Sequence, residues 1–260
     1  MNESRRLSDR VIAITGGCGD IGQATARGLS REGASVVLLD RRSSDVLSAD
    51  LKSNPKVGCL LCDVTDRSSV EAALAKVVVQ HKKLDVLIAN AGMAANEPFL
   101  DVNISNLKLT MEVNFFGAFH AAQVGARQMM RQPISERGVR GRILFTGSWV
   151  QDMPWPEGTS YICSKAALKM MAKIMAQELA AHAIRVNLLA PGIVMAGLSK
   201  KIYETDSGYR ERVAEAIPLN EMQTVDSVAD GYVFLCSSES DYMTGASLLI
   251  DGGCSLVKRK

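Results

Sequence analysis

The chain has 260 residues, 47% of them apolar and 22% charged, and its 30 Lys+Arg against 28 Asp+Glu leave a formal net charge of +2. So small an excess predicts no nucleic-acid partner, because neutralising several phosphates requires clustered positive charge. No window reaches the ~18 uninterrupted apolar residues of a membrane span, and the polar residues 1–10 precede too short an apolar run for an export signal, so a cytoplasmic protein is expected.

In chain order, apolar and β-branched runs predict strands at 11–15, 35–39, 57–62, 85–90, 142–146, 185–190 and 247–250. Several are apolar at consecutive positions, the pattern of strands covered on both faces in a parallel sheet. Helical patterns lie between them, as at 68–81, where Val70, Leu74, Val77 and Val78 share a face. This alternation predicts an α/β fold with a doubly wound, mostly parallel, seven-stranded sheet and helices on both faces, a single-domain Rossmann fold spanning residues 1–260. Segments 132–141, 149–158 and about 195–218 read as long irregular connections, the last as a lid over a substrate site.

The six cysteines, Cys18, Cys59, Cys62, Cys163, Cys236 and Cys254, read as reduced thiols. Cys59 and Cys62 stand three apart in a strand, so they point to opposite faces, and no second Cys/His pair completes a metal site. No metal is expected.

After the first strand comes Thr15-Gly16-Gly17-Cys18-Gly19-Asp20-Ile21-Gly22 and then a helical pattern. Such glycines let the backbone turn tightly and approach a pyrophosphate, whose charge is met by free N–H groups at the helix start. The next strand leads to Asp40, 24 residues beyond Gly16, where a carboxylate accepts hydrogen bonds from adenosine ribose hydroxyls. Asp40 would repel a 2′-phosphate and so favours NAD, while Arg41 and Arg42 offer charges that such a phosphate could use, which leaves NADP possible. Further along, Tyr161-Ile-Cys-Ser-Lys165 places a phenol and an ammonium on one helix face, close enough for the cation to stabilise a phenolate. Ser148 precedes this pair at the end of the fifth strand, and Asn114 lies in a helical segment before that.

With these residues in order, the sequence resembles the short-chain dehydrogenase/reductase family over nearly its whole length. The likeness rests on Thr15–Gly22, Asp63-Val64, Asn90-Ala91-Gly92, Asn114, Ser148, Tyr161-x-x-x-Lys165, Pro191-Gly192 and Asp251-Gly252-Gly253. It implies a nicotinamide coenzyme bound by Gly16, Cys18, Gly19, Asp20, Ile21, Gly22, Asp40, Arg41, Asp63, Val64, Asn90, Ala91, Gly92, Tyr161, Lys165, Pro191, Gly192 and Val194. It also implies that Tyr161 exchanges a proton with the substrate oxygen, Lys165 holds the nicotinamide ribose, Ser148 hydrogen-bonds the reacting oxygen and Asn114 anchors a water. A homotetramer follows by the same likeness, and the helix after Tyr161 is apolar on two sides, with Ile162, Ala166, Met170 and Ile174 on one and Leu168, Met171, Met175 and Leu179 on the other.

Three positions depart from the family pattern. Asp20 replaces the middle glycine of the turn, Ala89 replaces the first of two asparagines, and Ala196 stands where a threonine usually contacts the nicotinamide carboxamide. The stretch from Gln151 to Pro156 resembles the corresponding loop of bacterial glucose 1-dehydrogenases, which points to a sugar or polyol substrate met by Ser148, Gln151, Trp155 and Tyr161. Lys200, Lys201, Arg210 and Arg212 in the lid would suit an anionic sugar or form a solvated helix face. Two other readings stand beside an NAD-preferring sugar dehydrogenase: a 3-oxoacyl-carrier-protein-type reductase, and a dinucleotide-binding regulator without catalysis.

Overall fold

In the computed structural model, which describes residues 5–256, seven strands form one sheet in the order β3-β2-β1-β4-β5-β6-β7, and all six pairings are parallel. The extreme ends, 1–4 and 257–260, which the single-domain expectation includes, lie outside the described residues. The strands are β1 (Val11–Thr15), β2 (Ser35–Asp40), β3 (Val57–Leu61), β4 (Val86–Ala89), β5 (Gly141–Thr146), β6 (Ile184–Pro191) and β7 (Ser247–Ile250). β4 is shorter than its apolar run predicts because its flanks have other uses. The Asp85 carboxylate accepts the Val11 N–H at 2.7 Å, and the Asn90 amide turns toward the loop after β1.

The helices are α1 (Asp20–Arg31), α2 (Ala49–Lys52), α3 (Arg67–His81), α4 (Ile104–Met111), α5 (Gly117–Met130), α6 (Thr159–Leu179), α7 (Gly197–Thr205), α8 (Ser207–Ala216) and α9 (Val225–Cys236). Local signals set several of their ends. Asp66 caps α3 by accepting the Ser68 N–H, Thr224 caps α9 through the Ser227 N–H, and α3 closes on Lys82 in the left-handed region at φ 66°.

The strand period of two divides the core. Along β1, Val11 and Ala13 join Val70, Leu74, Ala118, Ala121 and Leu168 on one face, whereas Ile12 and Ile14 join Ala26, Leu29, Val228 and Val233 on the other. Cys59 and Cys62 fall on these opposite faces as their spacing predicts. Small residues bring α5 close to the sheet: a Cβ on Gly125 would lie 2.7 Å from Leu87 Cδ2.

Segment 195–218 is not irregular. It forms α7 and α8, which dock over a third apolar cluster that includes Trp149, Ile193, Val213, Ile217 and Met222. The sequence conceals α8 because it buries just Val213 and Ala216, and a cap specifies it instead, the Asp206 carboxylate accepting the Tyr209 N–H. Among the described residues, no helix is long and apolar enough to cross a membrane.

Candidate active site

Between β1 and β4 the winding direction reverses, and the C-terminal ends of these strands open into a cleft of about 1110 Å³. The turn after β1 forms its floor. Gly16 has φ +63°, and a Cβ there would lie 2.6 Å from Ala91 Cα; one on Gly22 would lie 2.6 Å from the Gly17 carbonyl oxygen. These two close approaches bring bare backbone to the cleft, which the first residues of α1, Asp20, Ile21 and Gly22, also line. Cys18 takes part differently from expectation. Its N–H donates to Asp40 Oδ2 at 3.0 Å, but its side chain is buried away from the cleft, with Sγ 3.8 Å from Cys59 Sγ.

Asp40 is buried at the end of β2, where it also accepts the Arg42 backbone N–H at 3.0 Å and Arg42 Nε at 3.2 Å. Burial works to raise its pKa, and the hydrogen bonds from Arg42 and Cys18 outweigh it, so the carboxyl stays below the ordinary range. Arg42, not Arg41, makes this pair, although both line the cleft beside Asp63 and Val64.

A buried chain of hydrogen bonds fixes the next wall. Asn90 Nδ2 donates to the carbonyls of Thr15 and Gly16, both at 3.2 Å, while Thr15 Oγ1 accepts the N–H groups of Asn90 and Ala91. Thr146 Oγ1 donates to Asn90 Oδ1 at 3.0 Å, so its one proton is used and the Tyr232 hydroxyl, 2.5 Å away, is the donor to Thr146. Neither Thr146 nor Tyr232 carries a sequence signal for this role.

Beyond it stand Ser148, Tyr161 and Lys165, all on the cleft. Ser148 follows β5, Tyr161 lies in the first turn of α6, and Lys165 comes one turn later on the same face. Lys165 Nζ is 5.5 Å from the Tyr161 ring centre and donates to the Thr146 carbonyl at 2.7 Å. Burial lowers the Lys165 pKa to about 8 and raises that of Tyr161, while a hydrogen bond from Ser148 opposes the rise. Asn114 sits inside a turn of π-helix, Glu112–Phe116, inserted between α4 and α5. It stands behind the wall, its Oδ1 accepting the Met93 N–H at 2.8 Å and its Nδ2 donating to the Met93 carbonyl and to Ser164 Oγ.

A family model described as enoyl-(acyl carrier protein) reductase matches residues 18–255. The chain belongs to the short-chain dehydrogenase/reductase family. It is accordingly an oxidoreductase of a family that works with nicotinamide coenzymes. It is 33% identical to D-erythrulose reductase from Gallus gallus over 244 residues, which cover 94% of this chain and 95% of that one. To the 3-oxoacyl-[acyl-carrier-protein] reductase of Thermotoga maritima it is 34% identical over 251 residues, 95% and 98% of the two chains. Among solved structures, a gluconate 5-dehydrogenase from Burkholderia cenocepacia J2315, in complex with NADP and tartrate, superposes with a TM-score of 0.89 at 27% identity over 98% of this chain and 99% of that one.

In this dehydrogenase/reductase the far side of the cleft comes from Pro191 at the end of β6, from Gly192 and Val194 after it, and from the lid. Gly192 donates its N–H toward the Ile250 carbonyl and Gln223 Oε1, which ties the lid root to β7 and to the entry of α9. Trp155 lines the cleft and packs edge to face on Trp149, 5.1 Å between ring centres. Gln151 does not reach it: buried, it donates through Nε2 to Ser247 Oγ at 2.8 Å, which removes it from the expected substrate contacts. From the lid, Ile202, Tyr209 and Lys201 face the cleft, whereas Lys200 turns to a smaller hollow beside Gln23 and Arg27. No cluster of three or more His, Cys, Asp or Glu among the described residues is placed to hold a metal ion.

Proposed function

We propose that the protein transfers a hydride between a nicotinamide coenzyme, preferably NAD, and a secondary alcohol or carbonyl of a sugar or polyol. The carrying observation is the placement of Ser148, Tyr161 and Lys165 on one cleft whose other end carries the turn after β1 and Asp40. The cleft fits a dinucleotide: Gly16 and Gly22, where a Cβ would collide with the backbone of Ala91 and Gly17, let the turn close tightly beneath it, and the Asp40 carboxylate is held ionised to face ribose hydroxyls. Gly16, Gly19, Ile21 and Gly22 would take the pyrophosphate, Asp63 and Val64 would flank the adenine, and Asn90, Ala91, Gly92, Pro191, Gly192 and Val194 would line the rest.

When bound, the nicotinamide ring supplies the hydride acceptor or donor. Tyr161 exchanges the proton at the substrate oxygen, which Ser148 orients by a hydrogen bond. Lys165 has three N–H donors and spends one on Thr146, so others remain for the ribose and for electrostatic support of the phenolate. Asn114 supports the loop at Met93 and the α6 residue Ser164, and reaches the reaction through them.

NAD preference is supported by Asp40, and Arg42 keeps NADP within reach because its guanidinium stands beside the same ribose position. The erythrulose reductase and gluconate dehydrogenase relatives support a sugar or polyol, and the acyl-carrier-protein reductase relative supports the second reading, a 3-oxoacyl thioester substrate. Assays with NAD and NADP against polyols, aldoses, ketoses, sugar acids and 3-oxoacyl thioesters decide between them. Turnover of a polyol or sugar with NAD at least tenfold above any thioester is the expected result; thioester turnover alone, or none at all, would replace it.

The assembly we propose is a homotetramer in the cytoplasm. On α6, Leu168 and Met171 enter the core while Ala166, Met170 and Ile174 form an exposed apolar stripe.

A further inference from the structure

Two of the three departures from the family pattern, Asp20 and Ala196, lie 176 residues apart, and the fold brings them together. Asp20 Oδ2 accepts the N–H of Gly197, next to Ala196, at 2.9 Å. Asp20 is the first residue of α1 and Gly197 the first of α7, so the contact spans the cleft from the coenzyme turn to the lid.

A helix opening with no capping side chain leaves N–H groups unpaired. α8 has Asp206 and α9 has Thr224 in that role, but α7 begins after Ala196, which is extended and has no side chain able to cap. Its missing acceptor comes from another helix. The rest of the lid root is already pinned: Met195 donates its N–H to the Gln223 carbonyl at 2.9 Å, and Gln223 returns its own N–H to Ile193 at 2.9 Å. Ala196 therefore joins the pinned Met195 to a helix whose first N–H rests on Asp20, its own N–H turned back to the Val194 carbonyl at 2.8 Å. Gly197, at φ +50° with open space around it, gives the chain the sharp entry that this arrangement requires.

We propose that Asp20 is a positioning residue: its carboxylate caps α7 from across the cleft and holds the lid in place before coenzyme arrives. The same negative charge stands beside the anion-binding turn, so lid order comes at the expense of pyrophosphate affinity. The charge effect rests on the proposed coenzyme site; the capping does not.

Limited trypsin digestion of the coenzyme-free protein reads the cap directly, because Lys200 and Lys201 lie in α7. In Asp20→Gly, cleavage at these lysines is expected at least fivefold faster than in the unaltered protein, with the melting transition retained. Adding Ala196→Ser to Asp20→Gly restores a local cap and should bring cleavage back within twofold. Asp20→Asn keeps an acceptor without charge, so it should remain protected and bind NAD at least threefold more tightly by calorimetry. Should Asp20→Gly fail to fold, the Asn variant and Ala196→Ser alone, which should slow cleavage, carry the test. Cleavage in Asp20→Gly no faster than in the unaltered protein, or no slower once Ala196→Ser is added, would overturn the capping role. Unchanged NAD affinity in a protected Asp20→Asn would overturn the charge effect while leaving the cap intact.

Discussion

Tyr161 and Lys165 share one helix turn, and burial pushes both toward their neutral forms, the phenol upward and the ammonium downward to about 8. Positive charge brought by the coenzyme would lower the phenol's pKa. Tyr161→Phe should keep the fold and coenzyme affinity while lowering kcat by at least ~10², the scale of a positioned proton-transfer group. Steady-state kinetics with near-normal kcat would take Tyr161 out of the mechanism. Lys165 gives a second measurement, through stability. Its folded pKa of about 8 lies below the ordinary 10.5, so across that window the unfolded chain binds a proton that the folded chain has released, and stability rises with pH. Relative to Lys165→Met, the unaltered protein should gain roughly 3 kcal/mol over this range in urea unfolding. A flat difference would mean that the ammonium is solvated. At this scale the sequence reveals positions better than orientations. Asp40 and the Tyr161-Lys165 pair are legible because spacing along a strand or helix decides where they lie. That Cys18 faces Cys59 and that Gln151 binds Ser247 depend on rotamers chosen by neighbours distant in sequence, and that Arg42 rather than Arg41 pairs with Asp40 depends on which of two adjacent side chains turns back.

Among the elements, α6 joins the site to an outer face. Its inner positions, Leu168, Met171 and Ala172, are buried in the core along with Lys165, while Met170 and Ile174 stay 56% and 51% exposed in the single chain. Ile174→Glu should leave the fold intact, since the side chain already faces outward, and should lower the assembly state. Light scattering would show a shift toward 28.0 kDa, the mass of one chain, and an unchanged mass would place the interface elsewhere. Both sides of α6 can be read from its sequence because apolar residues recur at helical spacing on each. α7 and α8 cannot, because caps set their starts, Asp20 reaching α7 from α1 and Asp206 opening α8, of which just Val213 and Ala216 are buried. The π-turn at Asn114 is equally hidden: one added residue per turn changes which way a side chain points without changing composition.

Across the whole molecule the parallel sheet separates chemistry from anchoring. The site occupies the C-terminal edge, and at the opposite edge Arg142, 1% exposed on β5, donates to Asp241 and to the Ser237 carbonyl while its Nε and Nη1 have no hydrogen-bond partner among the described residues. Asp241 also pairs with Arg137, which is largely exposed. Asp241→Ala should cost about 3–5 kcal/mol in denaturant unfolding, because it strands a buried charge. Arg137→Ala should cost less than about 1 kcal/mol, the range of a solvated pair. Equal losses would show that Arg142 reaches water.

The strand order also bears on how the chain emerges from a ribosome. β1, β2 and β3 leave in sequence and extend the sheet one strand at a time in one direction; β4 then returns to the bare side of β1, and β5, β6 and β7 extend it the other way. After β4 has docked, each newly made strand pairs with the strand made just before it, so the sheet grows only at its most recent edge while β3 remains the other edge. Until β4 is made, from residue 86 onward, the second flank of β1 is uncovered. A nascent chain stalled before that point would present β1, an inner strand of the finished sheet, to other chains, and one stalled later would not.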